Sequence, residues 1–313
     1  MDVGSSSLSL AGTGLGRAGA SEVIGTLLHL LVAIVVVLVG RAVGLRFDVV
    51  GLTPLLAFLA MLGLLWGVLS ASNAHGERRF AAGAAALLLW ASSGATALPA
   101  QYVIEALNRA RPWYDDAVIR ADLWAGIDVR ALMAWTVGHP IVRLVLDYAY
   151  RSFLAQSLLP ILCGCVGWMA VSRMRRYVWE WTACMWITIL VLWAIPISAP
   201  YVWWAYEPPV GATTAMASQL ALIRAGGPVT LSFAELEGLV AFPSFHTAGA
   251  IAVLVAFARM PALFYPLLVV DALLISATVM LGIHYAVDVL AGVIVYAVVT
   301  ACGRVLVARY RPT

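Results

Sequence analysis

The stretch LVAFPSFHTAGA (residues 239–250) and its echo LGIHYAVDVLAG (residues 281–292) decide how the rest of the chain is read. Each places a histidine where an apolar segment begins, His246 in the first and His284 in the second, and the second adds Asp288 four residues on. On a continuous helix, His284 and Asp288 would share one face. An aspartate at the centre of a membrane helix costs roughly 2.5 to 3.5 kcal/mol on insertion scales, so ionisable groups at that depth point to function.

The surrounding composition is that of a membrane protein. Of 313 residues, 63% are hydrophobic and 11% charged, against about 25% charged in soluble domains. Apolar runs of about 20 residues recur, which suits helices crossing a hydrocarbon core of about 30 Å rather than barrel strands. The predicted fold is therefore all-α and polytopic, with eight spans near residues 23–40, 49–70, 80–99 or on to 107, 152–171, 178–197, 244–259, 262–281 and 284–307. Residues 1–22, rich in Gly, Ser and Ala, read as a flexible tail. Residues 23–79 carry two additional N-terminal spans, and 80–313 a six-span catalytic unit.

Two segments are too polar or too irregular to span. Residues 108–150 intersperse arginines and aspartates among Trp, Leu and Val, the pattern of amphipathic helices on the membrane surface, with Trp113, Trp124 and Trp135 suited to the headgroup region. Those charges read mostly as a solvated face. Residues 200–242 hold Pro208, Pro209, Gly226, Gly227 and three glutamates and read as an ordered loop or short helices capping one face. Two polar connections, SNAHGERR (72–79) and SRMRRY (172–177), read as turns.

All nineteen basic residues are arginine, and no basic tract suggests nucleic acid. Under eight spans, ten arginines gather on one side: Arg17, Arg78, Arg79, Arg173, Arg175, Arg176, Arg259, Arg304, Arg309 and Arg311. The other side receives only Arg41 and Arg46 in a short loop, its seven further arginines lying in the two long segments, which count for less. The positive-inside tendency makes the first side cytoplasmic, so His246 and His284 both open their spans from the extracytoplasmic side. Cys163, Cys165, Cys184 and Cys302 read as small apolar residues, and His29, His75 and His139 as interfacial. Asp271, mid-span, reads as hydrogen-bonded to Ser, Thr or Trp of a neighbouring helix, ahead of a proton relay.

Two histidines and an aspartate at one membrane face suit phosphoryl transfer. A neutral imidazole can attack phosphorus if its other nitrogen donates to a fixed carboxylate, the pairing expected of His284 with Asp288. A second, protonated histidine can give its proton to the leaving oxygen, a role open to His246. Pro243 would open a helix whose first N–H groups, those of Ser244, Phe245 and His246, point at a phosphate oxygen, with the Ser244 hydroxyl helping. HYAVD also has the i, i+4 spacing of a metal pair, without a third ligand. A transporter moving protons through the histidines is a further reading, though it requires neither Pro-Ser before His246 nor the tight His-Asp spacing.

FPSFHTA (242–248) and GIHYAVDVLAG (282–292) resemble the second and third signature motifs of the type 2 phosphatidic acid phosphatase (PAP2) superfamily. PSFH, in place of the commoner PSGH, and HYxxD look more like its branch of inositolphosphotransferase and inositol phosphorylceramide synthase relatives. The weaker resemblance covers residues 122–292. It implies a metal-independent, cofactor-free membrane enzyme acting on a lipid-phosphate substrate. It makes the position of His284 the nucleophile, that of Asp288 its orienting carboxylate, and that of His246 the acid. The superfamily's Ser-Arg is replaced by Ala277 and Thr278, and its first-motif lysine by Ile104 ahead of Arg111 and Pro112. Arg224, Arg151 and Arg111 are the cations expected to compensate, Arg224 foremost. Neither the substrate nor the oligomeric state has a signature in the sequence.

Overall fold

The computed structural model describes residues 19–48, 51–72, 74–206 and 214–309. Among them are twelve α-helices: α1 (Ala20–Ala42), α2 (Thr53–Ser70), α3 (His75–Leu107), α4 (Asp115–Trp124), α5 (Val129–Val137), α6 (Pro140–Val166), α7 (Val171–Ala194), α8 (Pro200–Trp203), α9 (Thr214–Arg224), α10 (Phe245–Phe257), α11 (Pro261–Met280) and α12 (Ala286–Arg309). Two short strands, β1 (Leu45–Asp48) and β2 (Val229–Ser232), pair in parallel with Leu45 opposite Val229. Seven helices, α1, α2, α3, α6, α7, α11 and α12, are long and apolar enough to cross a membrane. The protein is thus a multi-pass helical membrane protein. Its outward surface fits that medium: on α1 and α2, Ile24, Leu27, Leu31, Leu64 and Val68 are all exposed.

The eighth expected span is α10, and it is the short one. Its 13 residues rise about 20 Å, less than a core of about 30 Å. It is instead enclosed by α6, α7, α11 and α12, with Ala248, Ala250, Ala252 and Val253 all buried. Small side chains make this enclosure possible: a Cβ on Gly249 would lie 2.7 Å from ring atoms of both Phe153 and Trp181. α3 forms the other axis of the bundle, with α1, α2, α6, α7 and α9 packed around it.

Several boundaries differ from the sequence expectation, each for a local reason. α6 begins at Pro140 rather than near residue 152, because proline's fixed φ and missing N–H suit a first helical position; Arg143 and Asp147 lie inside the helix. SRMRRY is helical, and the chain reverses instead over residues 167–170, where Gly167 adopts φ 88°. α3 starts at His75, so Arg78 and Arg79 are also helical. The expected tail ends sooner, since α1 starts at Ala20 and Glu22 is fully buried; residues 1–18 lie outside the described residues, as do Pro208, Pro209 and the His75 side chain.

α1 is held by polar contacts that periodicity alone does not reveal. Glu22 accepts from Arg175 Nε at 2.7 Å and from Trp179 Nε1 at 3.2 Å. Two turns on, His29 Nε2 accepts from Trp186 Nε1 at 2.8 Å, the rings stacking at 5.6 Å. His29 is therefore a buried docking residue, not an interfacial one, whereas His139 is exposed and stacks on Trp135. Asp271 faces Gln156 of α6 rather than a Ser, Thr or Trp. All four cysteines are free, and Cys302 is exposed.

The β1–β2 pair draws the α1–α2 connection to the segment that follows α9. α9 docks on α3, and Arg224 at its end pairs with Glu105 near the end of α3, Nη1 to Oε2 3.0 Å. α4 contacts the start of α12 and α5 contacts α11. One end of the bundle is thereby covered by α4, α5, α8, α9 and β2, and both histidines lie beneath that cover.

Candidate active site

His284 does not sit on a helix. It lies in the turn between α11 and α12, with Gly282 at φ 77°, a left-handed conformation that favours glycine. The N–H groups of Ile283 and His284 both donate to the Thr278 carbonyl, at 2.9 and 2.8 Å. The turn thus closes over the end of α11 and leaves the His284 side chain fully buried.

The segment before α10 approaches from the opposite side. Gln101 of α3 accepts from the N–H groups of Leu239 and Val240, at 2.6 and 3.0 Å. Tyr102 accepts from the N–H of Glu237 at 3.2 Å. So secured, this segment presents the Ala241 carbonyl to His284 Nδ1, 2.6 Å away. Asp288 Oδ2 is farther, at 3.6 Å, beyond hydrogen-bond distance, and accepts from the Tyr285 N–H at 2.7 Å. The expected direct bond from His284 to Asp288 is thus replaced by one to main chain, because starting α12 at Ala286 breaks the i, i+4 helical register. A hydrogen on Nδ1 leaves the His284 Nε2 lone pair free. His246 Nδ1 lies 3.0 Å from it.

Ser244 is committed to structure. It is the N-cap of α10, its hydroxyl accepting from the Thr247 N–H at 3.2 Å and from the Thr247 hydroxyl at 3.1 Å. Its own N–H donates to the Asp288 carbonyl at 2.9 Å. Of the three N–H groups expected to face a phosphate, those of Phe245 and His246 remain, since a first-turn N–H has no intrahelical partner. Gly292 lets α12 come this close: a Cβ there would run into the Ser244 carbonyl oxygen and lie 3.0 Å from Thr247 Cβ. Gly292→Ala is expected to destabilise the protein by roughly 1–3 kcal/mol, as overpacking does. A lowered denaturation midpoint in detergent is the readout, and an unchanged midpoint would show that the contact gives way freely.

His246 forms part of the wall of a cavity of about 300 Å³, with His284 behind it. Apolar side chains from α3, α7 and α9 supply much of the lining, Leu98, Met185, Ile189 and Leu220 among them. Tyr150 and Phe153 flank the His246 ring, with centroids 4.9 and 4.7 Å away. The acidic residues in the wall are Glu105 and Glu237, and no arginine lines it among the described residues.

The three arginines expected to bind phosphate are placed elsewhere. Arg111 caps the end of α7, its guanidinium donating to the carbonyls of Trp193 at 2.7 Å and Ala194 at 2.6 Å, an arrangement that neutralises orphan carbonyls. Arg224 pairs with Glu105, donates to the Arg111 carbonyl and stacks 4.4 Å from the Trp113 ring centroid. Trp113 also lines the cavity. Arg151 is exposed on α6 and outside the cavity wall. Among the described residues, no group of three or more His, Cys, Asp or Glu side chains is arranged to hold a metal ion.

Two residues assigned to a solvated face are buried beside the site. Asp115 accepts from the Tyr285 hydroxyl at 2.8 Å and from Ser198, the N–H at 3.0 Å and the hydroxyl at 2.8 Å. Asp122 accepts from the N–H groups of Ala286 and Val287, at 2.9 and 2.8 Å. Burial pushes both carboxyls up from the ordinary aspartate range, and these donors pull them back. Their spacing, i and i+7, puts both on one face of α4. That periodicity was the available signal, masked by the arginines and other aspartates around them.

A buried histidine paired with a half-buried one at the covered end of a helical membrane bundle defines a class of integral membrane protein with a polar site reached through an apolar cavity. A family model described as the PAP2 superfamily matches residues 116–302, more than half of the chain. The chain belongs to the PAP2 superfamily, whose members act on lipid phosphates in membranes, and it therefore has a phosphatase or phosphotransferase type of function. No match was found among curated proteins or among solved structures.

Proposed function

We propose that the protein cleaves a lipid phosphoester or pyrophosphate through a phosphohistidine formed at His284. The observation that carries this reading is the 3.0 Å approach of the two imidazoles, with the Nδ1 hydrogen of His284 held by the Ala241 carbonyl. The substrate's phosphorus enters between the rings, so His246 first moves away from His284 Nε2. The Nε2 lone pair then forms the N–P bond as the ester P–O bond breaks, and protonated His246 gives its proton to the leaving oxygen. Asp288 stabilises the positive charge that develops on the imidazole. In the second half, neutral His246 takes a proton from water, whose oxygen displaces His284 and releases phosphate.

The N–H groups of Phe245 and His246 are the donors assigned to the equatorial oxygens. The N-terminus of α12 is unsuited to this, because the N–H groups of Ala286 and Val287 are spent on Asp122 and that of Asp288 on the Tyr285 carbonyl. Arg111 and Arg224 support the surrounding architecture rather than the phosphate, and Arg151 is exposed outside the cavity wall. We take residues 80–313 as the catalytic unit, α1 and α2 as accessory spans, and the site as extracytoplasmic from the arginine distribution.

A second reading, headgroup transfer to an alcohol, is favoured by Glu105 and Glu237 in the cavity wall. Carboxylates accept hydrogen bonds from a hydroxyl-rich group, which accords with the inositolphosphotransferase-like PSFH and HYxxD signatures. Purified protein is to be offered phosphatidic acid, an isoprenoid pyrophosphate, and phosphatidylinositol with a lipid alcohol, scoring free phosphate and transferred headgroup. Phosphate release supports the first reading and transfer the second; neither product from any probe would sink both. Turnover is expected to persist in EDTA, and inhibition reversed by added metal would overturn the metal-independent mechanism.

A further inference from the structure

We propose that Asp122 is a positioning residue for His284, acting with Asp115 from α4 to hold the segment 284–287 in register. The role rests on the reading of His284 as nucleophile. A helix usually caps its first N–H groups with a Ser, Thr, Asp or Asn of its own chain immediately before it. Here those positions hold His284 and Tyr285, neither of which can serve, and the cap comes from 164 residues earlier in the chain. Both Asp122 oxygens are used, one on Ala286 and one on Val287. The carboxylate's charge also complements the positive end of α12.

Asp115 completes the hold one residue closer to the nucleophile. It binds the Tyr285 hydroxyl and is itself fixed by Ser198, while the Tyr285 N–H is taken by Asp288. The backbone from 285 to 287 is thus tied at three successive N–H groups and one side chain, and on its other side His284 is tied to Thr278. A buried carboxylate is a costly way to cap a helix. Its consequence is that the covering helix α4 and the start of α12 move as one body. Rotation about the 284–285 link would turn His284 Nε2 away from His246 and from the cavity.

The test uses full-length protein in detergent as wild type, Asp122→Ala, Asp122→Asn and Asp122→Glu. Two readouts are compared: hydrogen exchange of peptides covering residues 282–291, and kcat and KM on whichever of the three lipid probes wild type turns over. Asp122→Ala is expected to raise exchange locally and to lower kcat about 10²-fold with KM nearly unchanged, the loss expected of a displaced catalytic group. Asp122→Asn, keeping one acceptor oxygen, should fall between, and Asp122→Glu should restore part of the rate. Wild-type exchange in Asp122→Ala, or a kcat loss that only tracks loss of folded protein, overturns the proposal. If Asp122→Ala does not fold, Asp122→Asn decides by the same criteria. If wild type turns over none of the probes, the catalytic reading fails while the exchange arm still decides whether α4 holds the segment.

Discussion

His284→Ala is expected to lower turnover roughly 10⁴- to 10⁶-fold while leaving the fold intact, the scale seen when a covalent nucleophile is removed. The fold should survive because the turn is held by main-chain bonds that the substitution keeps, from the Ile283 and His284 N–H groups to Thr278, the side chain's own polar contacts being to Ala241 and His246. His246→Ala should cost less, about 10² to 10⁴, since what is removed is a proton donor. The two losses should not add, because both residues serve one bond-breaking step. Leaving-group dependence separates the roles. A substrate with a strongly acidic leaving group, such as p-nitrophenyl phosphate, needs little protonation, so its turnover should suffer less in His246→Ala and fully in His284→Ala. The measurement is phosphate release by purified variants whose denaturation midpoints match wild type. Undiminished release by the His284 variant would falsify the covalent mechanism.

The Asp288→Asn substitution is the second large effect, with an expected loss in kcat of about 10² to 10³ and little change in KM. In a triad whose carboxylate alone fixes the histidine tautomer, the corresponding change costs about 10⁴. Here the Ala241 carbonyl holds the Nδ1 hydrogen at 2.6 Å while Asp288 stands off at 3.6 Å. The tautomer should therefore survive, and what is lost is the negative charge facing the imidazolium as it forms. The Asn oxygen can still accept from the Tyr285 N–H, which protects the turn. A loss as large as that of His284→Ala would show that the carboxylate, not the carbonyl, sets the tautomer. An equal loss in substrate affinity would instead place Asp288 in binding.

Linear patterns found the spans and the two histidines for a simple reason. A continuous apolar run and a polar interruption at its edge are local properties, set by transfer of side chains into hydrocarbon. The same patterns misplaced charged residues whose partners are remote. Asp115 and Asp122 read as solvated because their neighbours along the chain are charged, yet their donors lie on residues 198 and 285–287. Arg224 and Arg111 read as phosphate ligands because the motif lacked cations, yet Glu105 and helix-end carbonyls claim them. Glu22 and His29 likewise acquire their meaning from α7.

By itself, the sequence determined the helical membrane class, the pairing of His246 with His284, and the nearness of Asp288. Each follows from hydropathy and short-range spacing, which need no knowledge of what packs where. Only the tertiary structure decided which atom holds the His284 hydrogen, what Ser244 and the arginines are used for, and how α4 reaches the start of α12. These are matters of buried hydrogen bonding. A buried donor takes the nearest well-aligned acceptor in space, and for His284 that acceptor is a carbonyl 43 residues away along the chain.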